Sequence, residues 1–242
     1  MFRLLAFRSL RLTSTRCSVA GRIPIYALTV AGTGIAVSLK PTIFLDASTS
    51  IDLVRDIATD IEFPAVLRIP SRFPLPEYTL LGVGVRKVSF FGIKVYSVAF
   101  YADLTKIPPL DALTTTEEKV TQIIRNTSCV IRIVPTRSTS YSHLRDGFMR
   151  ALQGRLTSQK RQHLITDQEE NLLVTPMLKF KSLFPSTAIE KHAPLDVISL
   201  PPTNSQEARL IIRDLGSVTS TWLAREFILA YFEGEGISPP VG

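Results

Sequence analysis

Histidine and cysteine are scarce in this 242-residue chain, and their scarcity excludes several classes of site. The three histidines, His143, His163 and His192, lie far apart, and no H-E-x-x-H or C-x-x-C spacing occurs that would indicate a metal centre. Of the two cysteines, Cys17 lies near the N-terminus and Cys129 lies in an apolar run. We therefore expect no disulfide and no thiolate metal cluster in the folded domain, and Cys129 is interpreted as a small core residue.

Sequence signatures of common enzyme classes are also absent. There is no G-x-S-x-G, so the nucleophile elbow of an α/β-hydrolase is excluded. The segment G-V-G-V-R-K at 82–87 lacks the third glycine of a dinucleotide-binding loop and does not open a helix, so it is not a phosphate-binding loop of that kind.

Acidic residues are missing from the first 22 positions, which contain five arginines. These arginines account for most of the formal net charge of +7, so the rest of the chain is close to neutral and nucleic-acid binding is excluded. Arginine, serine and interleaved apolar residues without acids are typical of a mitochondrial presequence, which we assign to residues 1–22. A secretory signal and a disordered basic tail are the alternatives.

An uncharged stretch of seventeen residues follows at 23–39, bounded by Arg22 and Lys40. This length is about the minimum for a helix that crosses a bilayer, so we predict a single transmembrane segment that tethers the protein to the mitochondrial inner membrane. A longer presequence or a buried strand is the alternative. Residues 40–60 are interpreted as a polar linker and residues 61–242 as one domain, large enough for a well-buried core.

Residues 80–103 predict two strands around a turn at Gly92, because β-branched and aromatic residues are dense and single glycines interrupt them. Arg86 lies among these apolar residues, and burying a cation without a partner costs several kcal/mol. Arg86 is therefore either at a solvent-exposed strand face or in a pocket that receives an anion.

Helices and strands alternate after this hairpin. Apolar periodicity, with acids near the start of the first helix, predicts helices at 115–126, 139–156, 168–183 and 218–232, and strands at 128–134, 195–200 and 208–213. Leading strands, grouped helices and returning strands predict an α+β fold, an antiparallel sheet with helices packed on one face.

Three motifs occur in the order found in one known family. The hairpin reads G-x-G-x-R-x-x-x-F-x-G-I-x-V-Y-x-x-x-x-Y, residues 132–150 read RIVPTRSTSYSHLRDGFMR, and residues 224–240 read AREFILAYFEGEGISPP. Together they resemble the chalcone isomerase family over about residues 60–242, and the N-terminal extension resembles the fungal mitochondrial branch of that family. The resemblance implies an open-faced β-sandwich whose large sheet and helical layer enclose a ligand cleft.

The resemblance also implies an activity. In plant chalcone isomerases an arginine on the first hairpin steers a substrate phenoxide into an intramolecular Michael addition that gives a flavanone, largely by electrostatic positioning. Arg86 matches that arginine, and Tyr141 matches a tyrosine near the start of the pocket helix. These two residues are the candidate catalytic residues of an isomerase acting on a chalcone-like or enone substrate.

Four other family positions carry different residues here. Tyr96 stands where the hairpin threonine is expected, Leu144 and Phe148 stand where the helix lysine and asparagine are expected, and Ala230 stands where a serine or threonine is expected. A cleft that keeps its cation but loses these polar groups suits a lipophilic acid. We therefore expect a non-catalytic binder whose ligand-binding residues are Arg86, Tyr96, Tyr141, Leu144, Phe148, Ala230 and His143.

Two ligands match this chemistry by resemblance to other family members, a fatty acid and a haem held through its propionate. His143, two residues after Tyr141, is a candidate axial ligand for haem, although a lone helix histidine is more often a surface residue. Three function classes stay open: an isomerase, a carrier of a lipophilic acid, and a scaffold whose cleft is filled by its own side chains.

Overall fold

The computed structural model describes residues 3–4, 52–71, 73–88, 93–107 and 115–232. The predicted transmembrane segment at 23–39 lies outside the described residues, as do positions 40–51 of the predicted linker and all of the predicted presequence except Arg3 and Leu4. Across the described ranges, no helix is both long and apolar enough to cross a membrane.

An eight-stranded antiparallel sheet forms the centre of the fold. In chain order the strands of the structure are β1 (Arg3–Leu4), β2 (Leu53–Arg55), β3 (Glu62–Pro64), β4 (Val66–Leu67), β5 (Tyr78–Val88), β6 (Ile93–Ala102), β7 (Cys129–Pro135), β8 (Thr139–Ser140), β9 (Ala188–Ile189), β10 (Leu195–Leu200), β11 (Arg209–Ile212) and β12 (Gly216–Thr219). The main sheet runs β1-β5-β6-β7-β10-β11-β12, with β4 also paired to β5, while β2 pairs with β3 and β8 with β9.

The described part of the chain contains four α-helices: α1 (Thr116–Asn126), α2 (Tyr141–Arg161), α3 (Asp167–Ser182) and α4 (Thr221–Leu229). Each begins at a hydroxyl side chain that accepts a hydrogen bond from a backbone N–H in the first turn: Thr115, Ser140, Thr166 and Ser220. In α1 and α3 a glutamate three residues later completes a capping box. These caps fix where the helices start along the chain.

The two faces of the sheet are covered differently. One face packs against all four helices through a core that includes Phe100, Ile131 and Phe227, each with no exposed surface. The opposite face packs against residues 61–69 through Phe63, Tyr78 and neighbouring apolar residues. An antiparallel sheet with helices on one face confirms the predicted α+β class.

The segment on the second face is anchored by a buried acid. Asp56 is 6% exposed, and its Oδ2 accepts hydrogen bonds from Ser97 of β6 and Thr59, both at 2.6 Å. Residues 52–60, predicted as part of the linker, therefore belong to the same compact unit as the sheet, which extends from Ile51. Hydrophobic patterning does not predict this packing, because β2 has three residues and Leu53 is half exposed.

Candidate functional site

The β5–β6 hairpin places Arg86 and Tyr96 directly opposite each other across two antiparallel strands. Residues paired in this way project from the same face of the sheet, and here that face is the one covered by the helices. The pairing register shifts between Arg86 and Lys87, a bulge of the kind that redirects a side chain. The hairpin thus delivers one cation and one phenol to the space between sheet and helices.

Arg86 interacts with the whole Tyr96 side chain. Its Nη1 donates to the Tyr96 hydroxyl at 3.3 Å, and its guanidinium carbon lies 5.7 Å from the centre of the Tyr96 ring. The second distance is typical of a cation–π contact. Both contacts leave most of the guanidinium donors free for a ligand, since Arg carries five N–H groups.

Tyr96 itself is almost fully buried and lies beside a second buried phenol, Tyr231, just after α4. Burial raises the pKa of Tyr96, and the positive charge of Arg86 and hydrogen bonds from Arg86 and Tyr231 partly offset this. Burial also raises the pKa of Tyr231 well above its ordinary value, and the neighbouring Tyr96 raises it further. Both phenols are therefore neutral at physiological pH, and Tyr96 acts as a hydrogen-bonding group rather than an anion.

Helix α2 supplies the opposite wall. The Ser140 hydroxyl accepts from the His143 backbone N–H at 3.1 Å, which starts the helix, and His143, Gly147 and Arg150 then recur at helical spacing along one face. A methyl group added at Gly147 would lie 4.0 Å from Arg86 Nη1, so this glycine marks the point where helix and guanidinium meet.

Together these elements form a cleft of about 240 Å³. Its described lining residues are Arg86, Val95, Tyr96, His143, Leu144, Gly147 and Arg150, and no carboxylate is among them. Other arginines of the described chain that are mostly buried have acidic partners: Arg132 donates to Asp196 at 2.7 Å and 2.9 Å, and Arg155 donates to Glu226 at 2.6 Å. Within the same ranges, Arg86 has no carboxylate within ion-pair distance.

The structure brings together four of the predicted ligand-binding residues: Arg86, Tyr96, His143 and Leu144. Tyr141 is the first residue of α2, half buried against the helix-side core, and is not among the lining residues of the cleft. Its predicted role in catalysis or ligand binding stays a prediction. His143 is exposed at the cleft wall, and its predicted role as a haem ligand likewise stays a prediction.

Phe148 and Ala230 lie deeper. The Phe148 ring packs against Phe227 and Phe184, with centroids 5.2 Å and 5.9 Å apart, and Ala230 is 2% exposed at the end of α4. Both contribute to the apolar floor beneath the cleft and are not among its lining residues. Any ligand contact by these two residues therefore requires a deeper opening than the one the structure shows.

Several lining residues were missed from the sequence. Arg150 and Gly147 follow His143 by seven and four residues, a spacing that could have identified them as one helix face. Val95 carried no such signal, because its position at the cleft depends on strand register. Among the described residues, no group of three or more His, Cys, Asp or Glu side chains could hold a metal ion.

Comparison with known proteins identifies the sequence family. The profile described as "chalcone isomerase like" matches residues 76–126 and 114–241, which include the hairpin, α2 and α4. This match confirms the resemblance carried by the three sequence motifs.

Curated relatives are fungal. "Altered inheritance of mitochondria protein 18, mitochondrial" of Kluyveromyces lactis is 28% identical over 176 residues, covering 58% of this chain and 56% of that protein. An uncharacterized protein of Schizosaccharomyces pombe is 32% identical over 128 residues, covering 45% and 46%. The Lachancea thermotolerans protein with the same name as the first is 24% identical over 152 residues, covering 50% and 49%. The chain thus spans about half the length of the curated relatives it matches.

Proposed function

Because the chain belongs to the chalcone isomerase-like family, we propose that it is a mitochondrial, non-catalytic binder of a lipophilic acid. The ligand's acid group pairs with Arg86, and its apolar body lies against Val95, Leu144 and the Tyr96 ring. Several relatives are named as mitochondrial proteins, which supports the mitochondrial location proposed for this chain.

One observation carries this proposal: Arg86 lies in a cleft beside Val95 and Leu144, and its partner among the described residues is a phenol and not an acid. A partly desolvated guanidinium without a counter-ion is costly, and the other arginines near the core avoid that cost by pairing with carboxylates. A ligand carboxylate would supply the missing partner through two parallel N–H···O bonds. In a scaffold without a ligand, the positive charge of Arg86 would lack a counter-ion in the cleft.

Catalysis is a weaker interpretation of the same cleft. In an isomerase, several hydrogen-bond donors around the arginine would stabilise the developing charge, and each is worth about a hundredfold or more in rate. Here Leu144 lines the cleft where the family resemblance implies a polar residue, and Phe148 lies in the apolar floor. The Arg86–Tyr96 pair is the feature that favours the isomerase alternative, because together they could polarise an enone carbonyl.

The two ligand classes make different demands on this site. A fatty acid needs one cation and an apolar path, both of which the cleft offers. A haem needs more room, since cofactor sites usually measure about 300–1,000 Å³, so its binding requires the cleft to widen. His143, exposed at the wall, is the residue that would reach haem iron.

The protein as purified tests this proposal directly. Lipid extraction followed by mass spectrometry is expected to recover an amphiphilic acid, and an absorbance spectrum of the same sample distinguishes a fatty acid from a haem. Chalcone turnover is measured in parallel and is expected to be negligible. Rapid turnover that Arg86→Ala abolishes would establish the isomerase and overturn the carrier.

We propose, further, that residues 23–39 tether the protein to the inner membrane. These seventeen residues carry no charge and follow the arginine-rich, acid-free segment. Carbonate extraction of isolated mitochondria is expected to leave the protein in the membrane pellet. Release into the soluble fraction would refute the tether while leaving import intact.

A further inference from the structure

The wall of the candidate cleft contains a second guanidinium, Arg150, three residues beyond Gly147 on α2. Within the described ranges, neither Arg86 nor Arg150 lies within ion-pair distance of a carboxylate. His143 lines the same wall. A cleft of about 240 Å³ thus contains two arginines, one imidazole and no acid among its described lining residues.

An acid that could have paired with Arg150 is engaged elsewhere. Asp146 lies four residues before Arg150, a spacing at which an aspartate and an arginine on one helix can pair. Its Oδ1 instead accepts a hydrogen bond from Arg145 Nε at 2.8 Å and lies 2.8 Å from Nη2 of the same side chain. Arg150 is therefore left to face the cleft, and its positive charge adds to that of Arg86.

Two guanidinium groups that line one small cleft repel each other, and an anion bound between them would offset that repulsion. A single carboxylate offsets one of the two charges. A phosphate monoester carries about −1.5 to −2 charges at neutral pH and presents three acceptor oxygens. The parallel N–H donors of a guanidinium match the spacing of phosphate oxygens, so one phosphate can accept hydrogen bonds from both side chains.

We infer that the cleft is selective for an amphiphile with a phosphate monoester head, which Arg86 binds from the sheet side and Arg150 binds from the helix side. This inference rests on the proposed function, since it concerns the same cleft and the same Arg86. It adds the chemical class of the head group, a dianion rather than a carboxylate.

Titration calorimetry of the full chain with three probes tests the inference: dodecyl phosphate, dodecanoate and inorganic phosphate. At about pH 8 the phosphate monoester is almost entirely dianionic, because its second pKa is about 6. We expect the wild-type protein to bind dodecyl phosphate about tenfold or more tightly than dodecanoate, the lower end of the effect of one charge-assisted contact. Inorganic phosphate is expected to bind more weakly than dodecyl phosphate, because it lacks the apolar chain.

Two variants isolate the second cation. Arg150→Gln is expected to remove the preference for phosphate, so that dodecyl phosphate and dodecanoate bind the variant with similar affinities. Arg161→Gln, on the same helix but outside the cleft, is the matched control and should retain the wild-type preference. Both positions are exposed, so neither change should impair folding.

The outcomes separate this inference from the proposed function. Equal wild-type affinity for the two amphiphiles, or a phosphate preference that survives Arg150→Gln, overturns the dianion inference. The carrier of a lipophilic acid still stands in that case if dodecanoate binding depends on Arg86. Inorganic phosphate that binds as tightly as dodecyl phosphate also overturns the inference, because the apolar chain would then contribute nothing to binding. Absence of binding by all three probes contradicts both.

Discussion

Arginine has two different roles in this protein, depending on where the side chain lies. Asp196 has no exposed surface and accepts hydrogen bonds from Arg132 at 2.7 Å and 2.9 Å and from Arg213 at 3.0 Å. Those arginines hold β7, β10 and the turn after β11 together. Arg86 has a tyrosine hydroxyl as its partner instead, so its charge is available for a ligand.

This difference predicts losses of stability of different size for two alanine substitutions. Asp196→Ala should lower the free energy of unfolding by about 3–5 kcal/mol, because it leaves two arginines without their buried counter-charge. Arg86→Ala should cost about 1 kcal/mol or less, since no buried acid loses its partner. Urea unfolding followed by circular dichroism measures both. A loss at Arg86→Ala as large as that at Asp196→Ala would show that Arg86 is a structural residue.

Tyr78 gives the protein a sensitivity to alkali. Burial is the main cause that raises the pKa of Tyr78 from 10.0 to about 12, and its hydroxyl lies 2.8 Å from that of Ser128. Because the folded state favours the neutral phenol, this contribution to stability is complete below pH 10 and is lost as the pH rises toward 12. A shift of this size corresponds to about 2–3 kcal/mol.

Tyr78→Phe should therefore make the fall in stability above pH 10 shallower than in the wild type. The variant should also lose about 1 kcal/mol near neutral pH with the hydrogen bond to Ser128. Urea midpoints across a series of alkaline buffers report both effects. Parallel pH profiles for the two proteins would mean that Tyr78 ionises equally easily in the folded and unfolded states.

At the scale of elements, helix α2 connects stability and binding through its two glycines. Gly147 lies against Arg86 at the cleft wall, and a methyl group there would make an ordinary contact at 4.0 Å. Gly154, two turns later, has nothing within 4 Å of such a methyl group. The pair therefore offers the same residue in the same helix, once at the cleft and once away from it.

Alanine at either glycine should raise the free energy of unfolding by up to about 1 kcal/mol, because alanine is the better helix former. Leucine distinguishes the sites: Gly147→Leu should fill the cleft and abolish binding of dodecanoate, whereas Gly154→Leu should leave that affinity unchanged. Both variants should keep the wild-type circular dichroism spectrum. Full dodecanoate affinity in Gly147→Leu would mean that the ligand binds elsewhere.

Element types could be predicted well from the sequence, whereas some of the element ends and the register of the strands could not. The predicted bounds of α1 and α3 agree with the structure to within a residue, and Pro176 lies inside α3 without ending it. The last helix was predicted from residue 218, but its cap is Ser220, and residues 216–219 form β12 instead. Val218 suits either element by itself, and its pairing with Leu210 decides between them.

The candidate site could be predicted only in part, because it also depends on how strands and helices pair in the folded protein. Arg86 stood out because a cation interrupts an apolar run, and Leu144 followed from the family resemblance and helical periodicity. The direct pairing of Arg86 with Tyr96 depends on strand register, and the position of Arg150 beside them depends on how α2 crosses the sheet. Such relations between distant residues arise from tertiary packing, which periodicity does not encode.

For the molecule as a whole, the two faces of the sheet separate stability from binding. The face covered by residues 61–69 is closed by apolar packing and by the anchor between Asp56 and Ser97. The helix-covered face carries both the larger core and the cleft. A ligand in the cleft would contact β5, β6 and α2 together, so its binding should stabilise the folded state as a unit.

Arg86 is the group that binds the ligand's acid in the proposed function, and one measurement tests that role most directly. It is the affinity of the full chain for dodecanoate, compared among the wild type, Arg86→Ala and Arg86→Lys, with Arg161→Gln as control. Arg86→Ala should weaken binding about ten- to a hundredfold, the value of one charge-assisted contact. Arg86→Lys should recover part of the loss, because an ammonium cannot reproduce two parallel donors. Unchanged affinity in Arg86→Ala, with the fold intact, would contradict the role of Arg86 as the group that binds the ligand's acid.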